Sequence, residues 1–310
     1  MTVVRRMDHG QGRQAAAGFT LVEIAVVIVV LSLLLAMIAG IATAMLGQQR
    51  REATRQRLAG VETALALFVS QNQRLPCPAN GTLAGTDNNA GVEQITLGTP
   101  NVCSVGGVAG SQQHGVVPWR ALGISEQDAT DGWGNRLTYR VSAQFVTLPA
   151  MNMTYCDPGG TEATTGAALV ATSGYCLLSC TSAGFLANTN NCRQPAAVTF
   201  GRGLEVRNLS GTKIMDPSPG TGASTGAAYI VISHGENAAG AYNNQGVIQG
   251  ASGTDSGTEE AKNAANLVLQ AYYVDDFASY PAGTGHFDDF VLRPSILTVV
   301  TKAQLGPRAH

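Results

Sequence analysis

The sequence predicts an α+β chain in which one long N-terminal helix packs on an antiparallel β-sheet head with long loops. Three observations predict it. The apolar run Ile24–Met45 lies inside a stretch, Ile24 to Gln49, that carries no charge. Leu58, Val61, Leu65 and Phe68 then recur at three- and four-residue spacing, which gives a continuing helix one apolar face. Beyond Pro76 the chain is rich in Gly, Asn, Thr and Ala with only short apolar runs, the pattern of strands between loops. With 45% of its 310 residues hydrophobic and 13% charged, the chain is excluded from charge-driven disorder. A net charge of −2 leaves no basic surplus to drive nucleic-acid binding.

The first element is the apolar run. At about 1.5 Å per residue its span is about 33 Å, enough to cross a bilayer core. Arg5, Arg6 and Arg13 precede it with a single acid, Asp8, as in the positive region of an export signal. Two details do not suit an ordinary secretory signal. The run exceeds the usual hydrophobic length, and it opens directly against a carboxylate, Glu23. A charge at a membrane segment is costly and usually has a partner; the plainer reading is an interfacial position. Ala42-Thr43-Ala44 is a competing cleavage site, and a cut there would release a soluble protein beginning at Met45.

The string Gly18-Phe19-Thr20-Leu21-Val22-Glu23 resembles the processing site of type IV pilins and of the related pseudopilins of type II secretion. The resemblance implies that a prepilin peptidase cuts after Gly18. Phe19 then becomes the mature N-terminus, whose amine is commonly methylated in the family, and Glu23 becomes the fifth mature residue. A buried carboxylate needs a cation, and the neighbouring subunit's N-terminal ammonium can supply one. Phe19 and Glu23 are therefore the expected assembly residues. The implied partners are the peptidase, other pilin or pseudopilin subunits and an inner-membrane assembly platform. The implied location is the bacterial inner membrane, single-pass with a periplasmic head, followed by assembly into a pilus or pseudopilus. Arg50, Arg51, Arg55 and Arg57 balance the leader arginines, so the resemblance rather than the charge count sets this orientation.

The expected organisation is a leader at 1–18, a helix at 19–73 and a globular head at 74–310. Within the helix, 19–45 would form the membrane or filament core and 46–73 an amphipathic half. A signal anchor joined by a helical stalk to an unrelated ectodomain is the bland alternative. Leu75-Pro76-Cys77-Pro78 stops the helix, because proline breaks it and restricts its neighbour. Strands are expected at Arg136–Val141, Phe145–Leu148, Ala167–Ala171, Ala196–Phe200, Ala228–Ser233 and Phe287–Arg293, with a short helix over 259–271. Residues 216–226 and 250–258 read as low-complexity loops.

Asp131-Gly132-Trp133-Gly134-Asn135 reads as a turn feeding a strand and is similar to the Trp-Gly turn that opens the pseudopilin sheet region. Leu75–Cys77, Val117-Pro118-Trp119-Arg120, Ile232-Ser233-His234-Gly235-Glu236-Asn237 and Asp288-Asp289-Phe290 also resemble segments of pseudopilin-like chains. Six cysteines, Cys77, Cys103, Cys156, Cys176, Cys180 and Cys192, all lie beyond the helix. An even count in an exported domain favours disulfides. Proximity suggests Cys77–Cys103, with the other four pairing among themselves, among fifteen possible connectivities. Zinc is disfavoured, because no CxxC occurs and Cys176-x-x-x-Cys180 lacks a second pair.

No catalytic constellation emerges, and the chain reads as a non-enzyme. Gly222-Ala223-Ser224-Thr225-Gly226 fits G-x-S-x-G but lacks the strand before and helix after that a nucleophile elbow needs. Ser210-Gly211-Thr212-Lys213 fits S-x-x-K without companion motifs. His114, His234 and His286 stand isolated. No cofactor is required. Major pseudopilins hold calcium in a late loop, and the resemblance makes Glu236, Asp275, Asp288 and Asp289 candidate Ca2+ ligands by rough position, with solvated loop acids as the alternative. Removing residues 1–18 leaves 16 basic against 20 acidic residues, −4, which disfavours a nucleic-acid partner. The expected function is a structural subunit, minor or specialised by its size, of a pilus or secretion filament. An adhesin-like minor pilin binding a surface ligand is the alternative, and a secreted hydrolase lacks a credible site.

Overall fold

The computed structural model describes residues 20–97, 101–104, 110–148, 150–154, 201–218, 225–250, 257–280 and 285–307. The chain divides into two compact units, Met1–Gln48 and Gln49–His310, and the division falls inside the first helix, α1 (Leu21–Asn72).

In the first unit α1 is built almost entirely of Leu, Ile, Val and Ala, with no proline to interrupt it. Its large apolar side chains from Leu21 to Leu46 are exposed, and the helix is long and apolar enough to cross a membrane. Its two hydroxyls turn inward on the helix: Ser32 donates to the Val29 carbonyl, and Thr43 donates to those of Ala39 and Gly40. Polar groups satisfied in this way add little to the cost of an apolar solvent.

In the second unit α1 buries Thr54, Leu58, Val61, Leu65, Phe68 and Val69, the face set by the three- and four-residue spacing. Gln73, in the left-handed region at φ 53, ends the helix by donating its N–H to the Val69 carbonyl. The strands follow as β1 (Ala79–Asn80), β2 (Ile95–Thr96), β3 (Val102–Cys103), β4 (Gly115–Val116), β5 (Asn135–Arg136) and β6 (Thr138–Val141). After them come β7 (Val206–Arg207), β8 (Lys213–Met215), β9 (Tyr229–Ser233), β10 (Tyr242–Asn243), β11 (Tyr273–Val274) and β12 (Phe290–Leu292). A short helix, α2 (Ile296–Lys302), follows β12, capped by Ser295, which accepts from the Thr298 N–H.

The central sheet has the order β1-β4-β6-β9-β12, antiparallel throughout. The pairs Tyr139–Val231 and Thr138–Ile232 fix its register. Successive side chains on a strand point to opposite faces, and here both faces are covered. Tyr139, Val141, Tyr229 and Val231 join the core formed with α1 and α2. Ile230 and Ile232 join a second core with Leu204, Val206 and Tyr273 from the β11-β7-β8 sheet. That explains why all five residues of β9 are buried.

The turn Asp131–Gly134 rests on the head-packed part of α1. Gly132 donates its N–H to Thr54 Oγ1 at 2.9 Å, and Arg57 donates to the carbonyls of Thr130 and Asp131 at 3.0 and 2.6 Å. A Cβ at Gly132 would lie 2.1 Å from the Arg50 carbonyl oxygen, so only glycine permits this approach.

Several expectations are corrected. The strand expected at Phe145–Leu148 is absent; Ala143–Phe145 forms a 3-10 turn that buries Phe145 and offers its carbonyl to the Leu75 N–H. The helix expected over 259–271 stops after one 3-10 turn, Glu260–Asn263. Its carbonyls have another use: the buried Arg140 guanidinium takes those of Ala264, Ala265 and Leu267. The strand expected at Arg136–Val141 is split at Leu137, whose N–H bonds the Ala129 carbonyl. The strand expected at Phe287–Arg293 is shorter, at Phe290–Leu292. The strands expected at Ala167–Ala171 and Ala196–Phe200 lie outside the described residues.

Candidate functional site

The chain has two candidate sites. The first is the start of α1. Gly18 and Phe19 lie outside the described residues. Glu23 is exposed and forms a reciprocal cap with Thr20. The Thr20 N–H and hydroxyl donate to Glu23 Oε2 at 2.8 and 2.9 Å, and the Glu23 N–H donates to Thr20 Oγ1 at 3.3 Å. This is a capping box, Thr-x-x-Glu, which ties up helix-start donors that have no partner inside the helix. Its Thr-x-x-Glu spacing is legible in the sequence at Thr20 and Glu23.

The second site lies at the end of β9, beside the entry to β12. β9 runs into His234 and a tight turn through Gly235, Glu236 and Asn237. Gly235 has φ +57, and a Cβ there would lie 2.5 Å from the Asp288 carboxyl carbon. Asp288 Oδ2 accepts from the N–H groups of Glu236 and Asn237 at 2.7 and 3.1 Å. The 3-10 turn brings in Glu260, whose Oε1 accepts the Asp288 N–H at 2.8 Å. Glu260 Oε2 meets His286 Nδ1 at 3.2 Å and accepts from the Gly257 N–H at 3.1 Å. Asn263 donates to Asp289 Oδ2 at 2.7 Å, and Thr138 Oγ1 lies 2.7 Å from His234 Nε2.

The electrostatics of this site follow from burial. Burial pushes Asp288 up to about 6, helped by the facing Glu260 carboxyl. Burial and the charge of Glu260 push Asp289 well above the usual carboxylate range. Glu260 is held below its ordinary value: burial opposes this, but bonds from Asp288, His286 and Gly257 outweigh it. Burial lowers His234 to about 4. Asp288 Oδ1, Asp289 Oδ1 and His234 Nδ1 are buried without hydrogen-bond partners. Among the described residues no lysine or arginine pairs with Glu260, Asp288 or Asp289.

Of the four carboxylates proposed as calcium ligands, Asp275, Asp288 and Asp289 line one pocket and Glu236 does not join them. Asp288 and Asp289 enter this cluster. Glu236 contributes its backbone N–H while its side chain is exposed, and Asp275 is paired with Arg293. Sequence reasoning missed Glu260 and His286. The strings Ile232–Asn237 and Asp288–Phe290 did point to this place, because they supply the two walls.

Cys77 and Cys103 are joined by a disulfide. Cys156, Cys176, Cys180 and Cys192, and Ser224 of the G-x-S-x-G string, lie outside the described residues. Lys213 of the S-x-x-K string pairs with Asp216 and Glu205, and Ser210 is exposed. His114 Nδ1 contacts the Tyr242 hydroxyl, and burial lowers its pKa.

The long apolar N-terminal helix and the antiparallel sheet body make this an α+β, type IV pilin-like architecture. Residues 13–39 match the family model of the prokaryotic N-terminal methylation motif, the hallmark of the prepilin-type signal of type IV pilins and pseudopilins. No curated protein and no solved structure matches the chain. The motif supports a processed, pilin- or pseudopilin-like subunit and suggests a structural role for it. It implies processing by prepilin peptidase and assembly with other pilin subunits. Motif and apolar helix together fit a membrane-anchored precursor.

Proposed function

We propose that this chain is a minor or specialised subunit of a type IV pilus or type II secretion filament. Residues 1–18 are the leader, prepilin peptidase cuts after Gly18, and the Phe19 amine is methylated. Before assembly the apolar part of α1 spans the inner membrane with the head, residues 74–310, in the periplasm. An assembly platform then moves the subunit into a helical filament whose core is built from these apolar segments, and Glu23 compensates the Phe19 ammonium of a neighbour. One observation carries the reading. The methylation motif at 13–39 overlies the start of a 52-residue helix whose early apolar side chains are exposed, a surface that needs lipid or other helices to cover it.

The test is co-expression of the full chain with a prepilin peptidase, followed by N-terminal sequencing and mass measurement. The expected mature chain begins at Phe19 and carries an added methyl group. A chain beginning at Met45, or no processing, overturns the proposal. Gly18→Ala should accumulate precursor in the same assay.

A further inference from the structure

The search for chemistry outside the N-terminal site converges on the buried acids at the end of β9. Glu260 and Asp288 are 1% and 4% exposed, and the Asp289 side chain is fully buried. Three carboxylates in one buried place, with no lysine or arginine among the described residues to pair with them, are an unstable arrangement: ions taken out of water need a counter-charge. The hydrogen-bond pattern makes the deficit local. Asp288 is fixed through Oδ2 by two N–H groups, which leaves Oδ1 buried without a partner. One imidazole nitrogen of His286 and one carboxylate oxygen each from Glu260 and Asp288 lie within 4.8 Å of one another. Gly235 has no Cβ where one would strike Asp288, so the backbone itself is shaped around this carboxylate.

We propose that Glu260, His286 and Asp288 form a binding site for a first-row divalent transition-metal ion such as Zn2+. The donor set decides the class. Calcium and magnesium favour all-oxygen shells, whereas an imidazole nitrogen with carboxylates suits zinc and its neighbours. A tetrahedral ion with ligands at about 2.1 Å holds its donors roughly 3.4 Å apart, so small side-chain movements close the observed spacing. The ion takes Asp288 Oδ1 as a ligand and supplies the counter-charge for the Glu260 and Asp288 carboxylates. Asp288 stays oriented by the Glu236 and Asn237 N–H groups, the outer-shell support that metal ligands usually have. The His286 side chain is 17% exposed and gives the ion its way in. Two separate stretches of the head, the 3-10 turn and the entry to β12, would then be tied together by one ion, with the turn after β9 held to it through Asp288.

The test uses the full chain, tag-free and in detergent, stripped with chelator and titrated with Zn2+ or with Ca2+ at neutral pH. Calorimetry and thermal melts give the readouts. One equivalent of Zn2+ should bind and raise the melting temperature by several degrees. His286→Gln should weaken Zn2+ binding at least tenfold while leaving the stripped protein's melt nearly unchanged. Asp288→Asn keeps an oxygen for the two N–H groups and replaces the partnerless oxygen with a donor. It should fold and melt at or above the stripped parent, and Zn2+ should no longer raise its melting temperature. Absence of stoichiometric Zn2+ binding overturns the proposal. So do Zn2+ shifts of equal size in the parent and both variants, and so does Ca2+ binding that His286→Gln leaves intact.

Discussion

Glu23 carries two roles that one substitution can separate. In the single chain its carboxylate caps α1 through Thr20, and in the proposed filament it answers a neighbour's ammonium. Gln preserves a capping box whereas Ala does not. Glu23→Gln should therefore keep helix content and processing yet fail in assembly, scored as filaments sheared from cells; normal assembly of Glu23→Gln refutes the charge pairing. Glu23→Ala should also be cut normally and fail to assemble, with the added loss of its cap on the Thr20 N–H. His234 gives a pH prediction. It is neutral in the fold, with a pKa lowered from 6.5 to about 4 by burial, so the unfolded chain takes up its proton first. Its contribution is intact above about pH 6.5 and is lost as pH falls towards 4, on the order of 3 kcal/mol in all. Asp288 and Asp289, raised by burial, push in the opposite direction. The informative readout is therefore the denaturation free energy of the parent minus that of His234→Gln, in chelator, which should fall between pH 7 and pH 5. At this scale the sequence made Asp288, Asp289 and the turn after His234 visible as strings. Glu260 and His286 stayed hidden because each is brought in by a loop contact that no periodicity encodes.

Among the elements, α1 is the most legible, since an unbroken apolar run leads into a helical spacing of Leu58, Val61, Leu65 and Phe68. The strands are less so. Several of them have two residues, too short for any alternation to register. The sheet is also buried on both faces, so Tyr229–Ser233 reads as an unbroken apolar run rather than as an alternating one. The helix expected over 259–271 failed for a cause no local propensity contains: a guanidinium from β6 claims its carbonyls. One element invites a stability measurement. Cys77–Cys103 closes a loop of 26 residues that the Arg74–Glu93 pair, at 2.6 Å, also fastens. Loop closure on that scale corresponds to about 3 kcal/mol. Reduction, or replacement of both cysteines by Ala, should lower the denaturation free energy by that amount; a change below about 1 kcal/mol would mean that the ion pair already confines the loop.

For the whole molecule, the two units differ in how their apolar residues are placed. The stretch Ile24 to Gln49 carries no charge, whereas the second unit has its own two apolar cores and ion pairs. A chain beginning at Gln49 should therefore be soluble and unfold cooperatively at close to the temperature of the full chain in detergent. Aggregation of the truncated chain would show that the apolar half of α1 contributes to folding. Leu65→Ala in that truncated chain should cost about 2–5 kcal/mol, because Leu65 is wholly buried between helix and sheet.

The seat of the Asp131–Gly134 turn on α1 has a mechanical meaning. In the proposed filament the apolar segments would be held by their neighbours, so a pull on the fibre would reach each head through the helix backbone. Among the groups that would resist it are those around Thr54 and Arg57, which bond Gly132, Thr130 and Asp131. The glycine that lets the turn come so close to Arg50 thus places a clutch between rod and head, and Gly132→Ala would be expected to let it slip.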